Sequence, residues 1–310
     1  MSSDADKMTD NRHTKRRKNI QEMMSKTSNR KIYVNKLVTI LTICCVIFAI
    51  IPLGSILFEV FKNGYSAISF EFLTQKPGSI LSGKGGIGPA IQGTLIVVGL
   101  GSLIAIPIGI LAGVYLSEYA KSNSKFAYSV RFFNDVMTGL PSIIVGIVGY
   151  ILIVLSIGSF SVIAGAFSLS LIMIPLVTRI TDETLKIVPN SIREGAHSLG
   201  IPKWKITLFI VIKTAMSGVL TGIVLSIARI AGETAPLIMT ILGTSLFFSS
   251  LTGPVDALPL RIWRLASQPY ESAHAFGWGA ALILILIILG LNISLRLLSQ
   301  RKSIGSSKHI

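Results

Sequence analysis

Long uncharged segments divide the chain into apolar blocks. Residues 85–117 carry no charged side chain over 33 positions, and residues 136–178 carry none over 43. Two further uncharged segments, 38–58 and 275–295, are 21 residues long each. Because a bilayer core needs about 20 apolar residues per helix, these segments predict membrane spans, and the longest holds two spans separated by a tight turn at 156–161. We predict six spans, near 38–60, 88–116, 136–156, 161–178, 214–242 and 275–296.

Composition supports a polytopic membrane protein. Of the 310 residues, 51% are hydrophobic and 14% are charged, whereas soluble domains carry about a quarter charged residues. The predicted fold class is therefore all-α, with one membrane domain at 37–298. A polar, basic tail at 1–36 precedes this domain, and a short tail at 299–310 follows it.

The distribution of positive charge predicts the orientation of the spans. The N-terminal tail, residues 117–135, residues 179–213 and the C-terminus together hold 23 Lys and Arg residues, and the two alternate loops hold five. Because Lys and Arg gather on the cytoplasmic side of membrane proteins, we expect a multi-pass cell-membrane protein with both termini in the cytoplasm. The net charge of +15 then indicates contact with anionic lipid headgroups and not with nucleic acid.

One Gly-rich loop resembles a nucleotide-binding motif without matching it. Gly78, Gly83 and Lys84 fit the phosphate-cradling loop, but Gly85 stands where Ser or Thr would hold magnesium. We therefore expect no ATP site, no metal and no enzymatic activity in this chain. Any ATP and Mg²⁺ would be bound by a partner ATPase.

Two charges lie inside the predicted fifth span. Arg229 and Glu233 stand four residues apart in the apolar range 214–242, and a central charge costs about 2.5–3.5 kcal/mol on insertion scales. At this spacing they would share a helix face and could pair. One interpretation is an ion pair that locks two helices. The other is an anion site in a transport path, since intramembrane charges usually mark such paths, with Glu233 pairing with Arg229 when the path is empty.

The segment 181–213 predicts two short helices outside the membrane. Ser191 and Glu194 have the spacing of a capping box. Gly200 suits the left-handed position after a helix, and Pro202 prevents the helix from continuing. We expect a compact cytoplasmic knob, or else an ordinary loop helix.

This segment resembles the EAA loop of ABC-importer permeases. In EGAHSLG, residues 194–200, Glu194, Ala196 and Gly200 match the pattern, whereas Gly195 replaces its first alanine. Together with LPSIIVGI and ARIAGETAPL elsewhere in the chain, this loop is similar to that of the phosphate-importer permeases of the PstA type. The resemblance implies a type I ABC-importer permease with six transmembrane helices, in which Glu194, Gly195, Ala196 and Gly200 couple to an ATPase.

The same resemblance implies partners and site residues. A PstC-type permease would form the other half of the pathway, two PstB-type ATPases would drive it, and an extracytoplasmic phosphate-binding protein would supply inorganic phosphate. Arg229 would be the transport arginine, and Arg179 would be either a second anion contact or an interfacial residue. Alternatives remain open: a permease for sulfate or molybdate, an anion transporter that works without ATP, and a membrane scaffold.

Overall fold

The computed structural model describes residues 2–78, 85–121 and 124–306, and these residues form helices without a named strand. Gly83 and Lys84 of the Gly-rich loop lie outside the described residues. Residues 1–59 form one compact unit, which is the greater part of the first helix, and a second unit begins at Val60. The functional residues considered below all belong to the second unit.

Eleven helices are described, and five of them are long and apolar enough to cross a membrane. A sixth span results if α4 and α5, which are bent by 104° at the break between them, are counted as one. The predicted all-α class and the approximate count of six spans are confirmed. The helices are α1 Ser2–Gly64, α2 Phe70–Thr74, α3 Gly88–Tyr119, α4 Lys125–Gly139, α5 Ser142–Ile157, α6 Val162–Lys186, α7 Asn190–Ser198, α8 Lys203–Ala231, α9 Ala235–Thr240, α10 Leu258–Ala266 and α11 Glu271–Ser306.

Two predicted spans are interrupted by a helix break in the structure. The span expected at 136–156 is bent at Leu140, which adopts extended backbone angles before Pro141, as residues preceding proline commonly do. The span expected at 214–242 is one helix only as far as Ala231, and it begins earlier, at Lys203. Both breaks lie beside the cavity described below.

The central core is formed by α3, α6, α8 and α9. Its fully buried side chains include Val97, Leu169, Met173, Ile230 and Leu237. α3 approaches α6 so closely that a Cβ atom added at Gly109 or Gly113 of α3 would lie 2.6–2.8 Å from atoms of α6. Small residues permit such close packing between membrane helices. These two helices therefore form a tightly packed frame.

Residues 181–213 lie at one end of this frame, and a second core is found there. Leu185 of α6, Ala196 of α7, and Ile206 and Val211 of α8 are buried together there. At the opposite end, Phe72, Ile87, Leu258 and Ile283 form a third cluster. The segment between α6 and α8 is thus packed against the ends of the spans.

A buried ion pair holds the connection between α9 and α10. Arg261 Nε donates to Asp256 Oδ2 at 2.6 Å, and the Asp256 side chain is inaccessible to solvent. Burial raises the pKa of the Asp256 carboxyl, and the Arg261 guanidinium opposes that shift. This pair lies outside the spans, far along the chain from the charges predicted to contact an anion.

Candidate functional site

The intramembrane charges lie on either side of a helix break. α8 ends at Ala231, and α9 begins at Ala235 with a proline in its first turn. Arg229 therefore occupies the last turn of α8, while Glu233 lies in the connection. Gly232 tolerates the turn, and Pro236 is suited to a helix start but not to a helix interior. These two residues account for the break between α8 and α9.

Arg229 and Glu233 contribute to one cavity of about 110 Å³. Its volume is sufficient for several water molecules or a small anion. Two helix breaks meet at it, the one between α4 and α5 and the one between α8 and α9, and α6 supplies the facing wall. The lining residues are Met137, Thr138, Leu140, Ser142, Ile172, Leu176, Arg229 and Glu233.

A glycine contact fixes the position of α9 beside this cavity. A Cβ atom at Gly146 of α5 would lie 2.7 Å from the Cα of Pro236. No larger residue fits there without displacement, so the backbone of α9 lies directly on α5. The same packing brings the two helix breaks to the same cavity.

The expected ion pair between the two charges is not formed. Within the described residues, neither side chain has a hydrogen bond or an ion pair within 4.0 Å. The helical i, i+4 geometry that would bring them together requires a continuous helix, and α8 ends between them. Arg229 is exposed and Glu233 is half-buried. The cavity therefore presents a free guanidinium and a free carboxylate.

Arg179 lies outside the cavity but on the same face of α6. Ile172, Leu176 and Arg179 are spaced by four and three residues, which places them on one side of the helix. The rise from Leu176 to Arg179 is about 4.5 Å. Arg179 Nε donates to Glu183 Oε1 at 2.9 Å, and both side chains are more than half exposed. Such an exposed pair is worth little stability and can exchange partners.

The loop between α6 and α8 has the predicted glycine turn. Gly200 has a φ of +73°, in the left-handed region, and its amide donates to the carbonyl of His197. The predicted capping box is wrong, because α7 begins one residue before Ser191, and its N-cap residue, Pro189, has no side-chain capping bond. The fixed φ of proline already suits the entry to a helix, so no side-chain cap is needed.

The residues of the EAA-like motif divide between two faces of α7. Ala196 is buried against the second core. Glu194, Gly195 and Gly200 are exposed, and Leu199 is 79% exposed. The loop therefore has one side buried against the second core and another side exposed.

Sequence reasoning missed the charged contacts around this loop. Arg193 Nη2 and Glu118 Oε1 are 2.7 Å apart, and the two residues are 75 positions apart in the chain. Asp182 also accepts from Lys186 at 2.6 Å and lies 3.9 Å from Arg131. No spacing rule connects residues on different helices, so the sequence contained no signal for the pair between α3 and α7.

Comparison with known proteins gives consistent matches. A family model described as the binding-protein-dependent transport system inner membrane component matches residues 105–304. The chain is 41% identical over 268 residues to the phosphate transport system permease protein PstA of Haemophilus influenzae, covering 86% of this chain and 94% of that protein. It is 36% identical over 251 residues to a probable PstA protein of Methanocaldococcus jannaschii, covering 81% and 88%.

Solved structures give the same architecture at low sequence identity. A chain of a bacterial alginate ABC transporter aligns with a TM-score of 0.63 at 16% identity, covering 88% of this chain and 96% of its own length. A chain of the inward-facing MetNI methionine ABC transporter aligns with a TM-score of 0.54 at 14% identity, covering 72% and 95%. At this level of identity the likeness concerns the fold.

Proposed function

We propose that this chain, which belongs to the family of binding-protein-dependent transport system inner membrane components, forms half of the transmembrane pathway of a phosphate importer. The chain is a multi-pass membrane transport subunit, and the ATPase activity of such a system lies in a partner chain. The resemblance of its motifs to the PstA type is confirmed by relatives over most of its length. What the family does not give is the role of each residue in this chain.

The free guanidinium of Arg229 in the cavity carries the proposal. An arginine keeps its charge at every physiological pH, and its planar fork matches the oxygens of phosphate. A structural arginine would be held by a carboxylate or by carbonyl oxygens, as Arg193 and Arg261 are. Arg229 has neither kind of partner, so its side chain is available to a passing anion.

Glu233 supports phosphate over sulfate as the anion. An ionised carboxylate only accepts hydrogen bonds, so it repels an anion that has no proton to donate. Phosphate carries an O–H group at neutral pH, whereas sulfate carries none. A phosphate in this cavity can accept from Arg229 and donate to Glu233, and it thereby satisfies both free side chains.

Arg179 is proposed as a second contact on the way out of the cavity. It continues the face of α6 that lines the cavity, and its bond to Glu183 is exposed and weak. With residues 181–213 on the cytoplasmic side, an anion leaving Arg229 would next meet Arg179. When Glu183 replaces phosphate as the partner of Arg179, the free-energy barrier to phosphate release would be lower.

The exposed face of the loop between α6 and α8 is proposed to dock on the ATPase. Glu194, Gly195 and Leu199 present the outward surface, and Gly200 holds the turn. A PstC-type permease would complete the pathway, two PstB-type ATPases would supply ATP hydrolysis with Mg²⁺, and an extracytoplasmic binding protein would deliver phosphate.

The test is phosphate uptake by complexes that carry changes at Arg229. Loss of a charge-assisted hydrogen bond of about 1.5–3 kcal/mol predicts that Arg229→Met lowers uptake roughly 10- to 150-fold. Arg229→Lys keeps the charge without the fork, so we expect a smaller loss, about tenfold. Membrane abundance and radiolabelled phosphate uptake are measured on the same vesicles, with the partner permease and ATPase present.

Two control variants separate transport from structure. Lys213→Met removes an exposed positive charge from the same helix and should leave uptake unchanged. The double variant Arg229→Met with Glu233→Leu should assemble and still fail to transport. Wild-type uptake by this double variant would show that Arg229 does not contact the substrate.

A further inference from the structure

Arg193 is adjacent to Glu194 in the EAA-like motif, yet its side chain faces the protein. It is 18% exposed, and its partner Glu118, on the last turn of α3, is 5% exposed. Nη2 lies 2.7 Å from Glu118 Oε1, and Nε lies 3.3 Å from both carboxylate oxygens. The two groups therefore meet along one edge of the guanidinium, the one formed by Nε and Nη2.

The same guanidinium also binds the end of α6. Nη2 donates to the carbonyl of Leu185 at 2.8 Å, and Nη1 donates to the carbonyl of Val188. The Leu185 carbonyl also accepts from the amide of Val188, and Arg193 adds a side-chain donor at this end of α6. One side chain on α7 thus joins the ends of α3 and α6.

The packing around this contact is open. A groove of about 500 Å³ separates the loop from the end of α3. Its lining includes Ser117, Asn190, His197 and Thr207. Across it, the ammonium of Lys203 lies 5.1 Å from the ring centroid of Tyr119. Because the groove interrupts apolar packing between α7 and α3, their connection depends on the polar contacts.

We propose that Arg193 is a positioning residue that transmits movement of α7 to α3 and α6. This inference rests on the proposed function, in which the loop containing α7 docks on the ATPase. A displacement passed through Arg193 reaches α6, and α6 carries Ile172 and Leu176 in the wall of the Arg229 cavity. The Arg193 fork therefore connects the docking surface mechanically to the anion cavity.

The number of phosphate ions imported per ATP hydrolysed measures this connection. Complexes containing both permeases, the ATPase and the binding protein are reconstituted into proteoliposomes. Arg193→Lys keeps the charge but loses the planar fork, whose separate nitrogens reach Glu118 and the two carbonyls. We expect normal assembly and basal hydrolysis, with at least a threefold fall in phosphate imported per ATP. Glu118→Gln should give a fall in the same direction.

The Lys186–Asp182 pair provides a matched control. It is an ion pair of similar length at the same end of the molecule, 2.6 Å between Nζ and Oδ2, but both residues belong to α6. Lys186→Met removes a charge without disconnecting two elements. We expect its ratio of phosphate to ATP to equal that of the wild type.

A covalent rescue distinguishes transmission from folding. Arg193→Cys with Glu118→Cys, in a chain with Cys44 and Cys45 replaced by alanine, is assembled first and then bridged with a bifunctional thiol reagent. Recovery of the ratio after bridging would support the proposal, because the link restores the connection in a complex that is already folded.

Three outcomes would count against the proposal or its premise. A wild-type ratio in Arg193→Lys and Glu118→Gln, with normal assembly, would overturn it. Loss of ATPase association in these variants, without recovery on bridging, would show that Arg193 serves docking. Absence of ATP-dependent phosphate uptake by the wild-type complex would refute the proposed function itself.

Discussion

Arg193, Arg261 and Arg229 differ in how many partners their side chains have among the described residues. Arg193 and Arg261 each bind a buried carboxylate and backbone carbonyls. Arg229 has no hydrogen bond or ion pair among the described residues and borders a cavity. A charge held by several partners has no capacity left for a ligand, whereas an unpartnered one is ready to bind an anion.

The Asp256–Arg261 pair provides a stability prediction at this scale. Removing one member of a buried pair strands the other at a cost of about 3–5 kcal/mol, and one oxygen of Asp256 already lacks a partner. We expect Arg261→Met to lower the melting temperature of the purified complex in detergent. Uptake per assembled complex should not change, because neither residue lines the cavity.

The double variant Arg261→Met with Asp256→Leu is the comparison that isolates the buried charge. Replacing both members by apolar residues is often neutral or stabilising, so we expect most of the lost thermal stability to return. A double variant as unstable as Arg261→Met would show that packing at this connection matters more than the pair.

Candidate functional residues could be identified from the sequence where they differ in polarity from the residues around them. Arg229 and Glu233 could be identified because they interrupt an apolar segment. Glu118 and Arg193 could not, because both lie in segments already rich in charge and their contact depends on how three helix ends meet. The expected pairing of Arg229 with Glu233 is absent because the helix ends between them.

At the scale of elements, helix ends decide what the protein can do. The cavity forms where α4 meets α5 and where α8 meets α9, and the exposed loop depends on a turn after α7. Proline and glycine mark all three places, at Pro141, at Gly232 with Pro236, and at Gly200 with Pro202. The sequence allowed the third break to be placed, but hydropathy merged the other two into continuous spans because the flanking residues are uniformly apolar.

The turn at Gly200 can be tested against a neighbouring glycine. Neither Gly200 nor Gly195 has an atom within 4 Å of an added Cβ, and only Gly200 has a positive φ. A left-handed residue other than glycine costs about 1–2 kcal/mol, so Gly200→Ala should strain the loop. We expect weaker association of the ATPase, measured by pull-down and by transport-linked hydrolysis.

Gly195→Ala adds the same methyl group within the helix α7. Alanine favours a helix interior over glycine by about 1 kcal/mol, so this variant should keep full association. Equal behaviour of the two variants would indicate that the conformation of the turn does not contribute to coupling.

At the scale of the whole molecule, the Arg229 cavity and the loop between α6 and α8 are connected by one frame. α3 and α6 pack through glycines, α6 lines the cavity, and Arg193 binds the ends of both helices. Amino-acid composition and apolar segment lengths sufficed to predict this class of fold. The frame itself was beyond sequence reasoning, because close approach of two helices depends on which glycines face each other.

The orientation of this frame in the membrane is predicted by charge and can be measured. Residues 117–135 and 179–213 belong to the positively charged set, which favours the cytoplasmic side, whereas residues 61–87 belong to the other set. We expect Gln75→Cys, at an exposed position, to react with an impermeant thiol reagent in sealed cells. Lys121→Cys, also exposed, should react only after permeabilisation.

Both variants are made in a chain with Cys44 and Cys45 replaced by alanine, and that parent chain should remain unlabelled. Labelling of position 121 in sealed cells would show the opposite orientation. The proposed ATPase-docking loop would then lie outside the cell, which contradicts the proposed function.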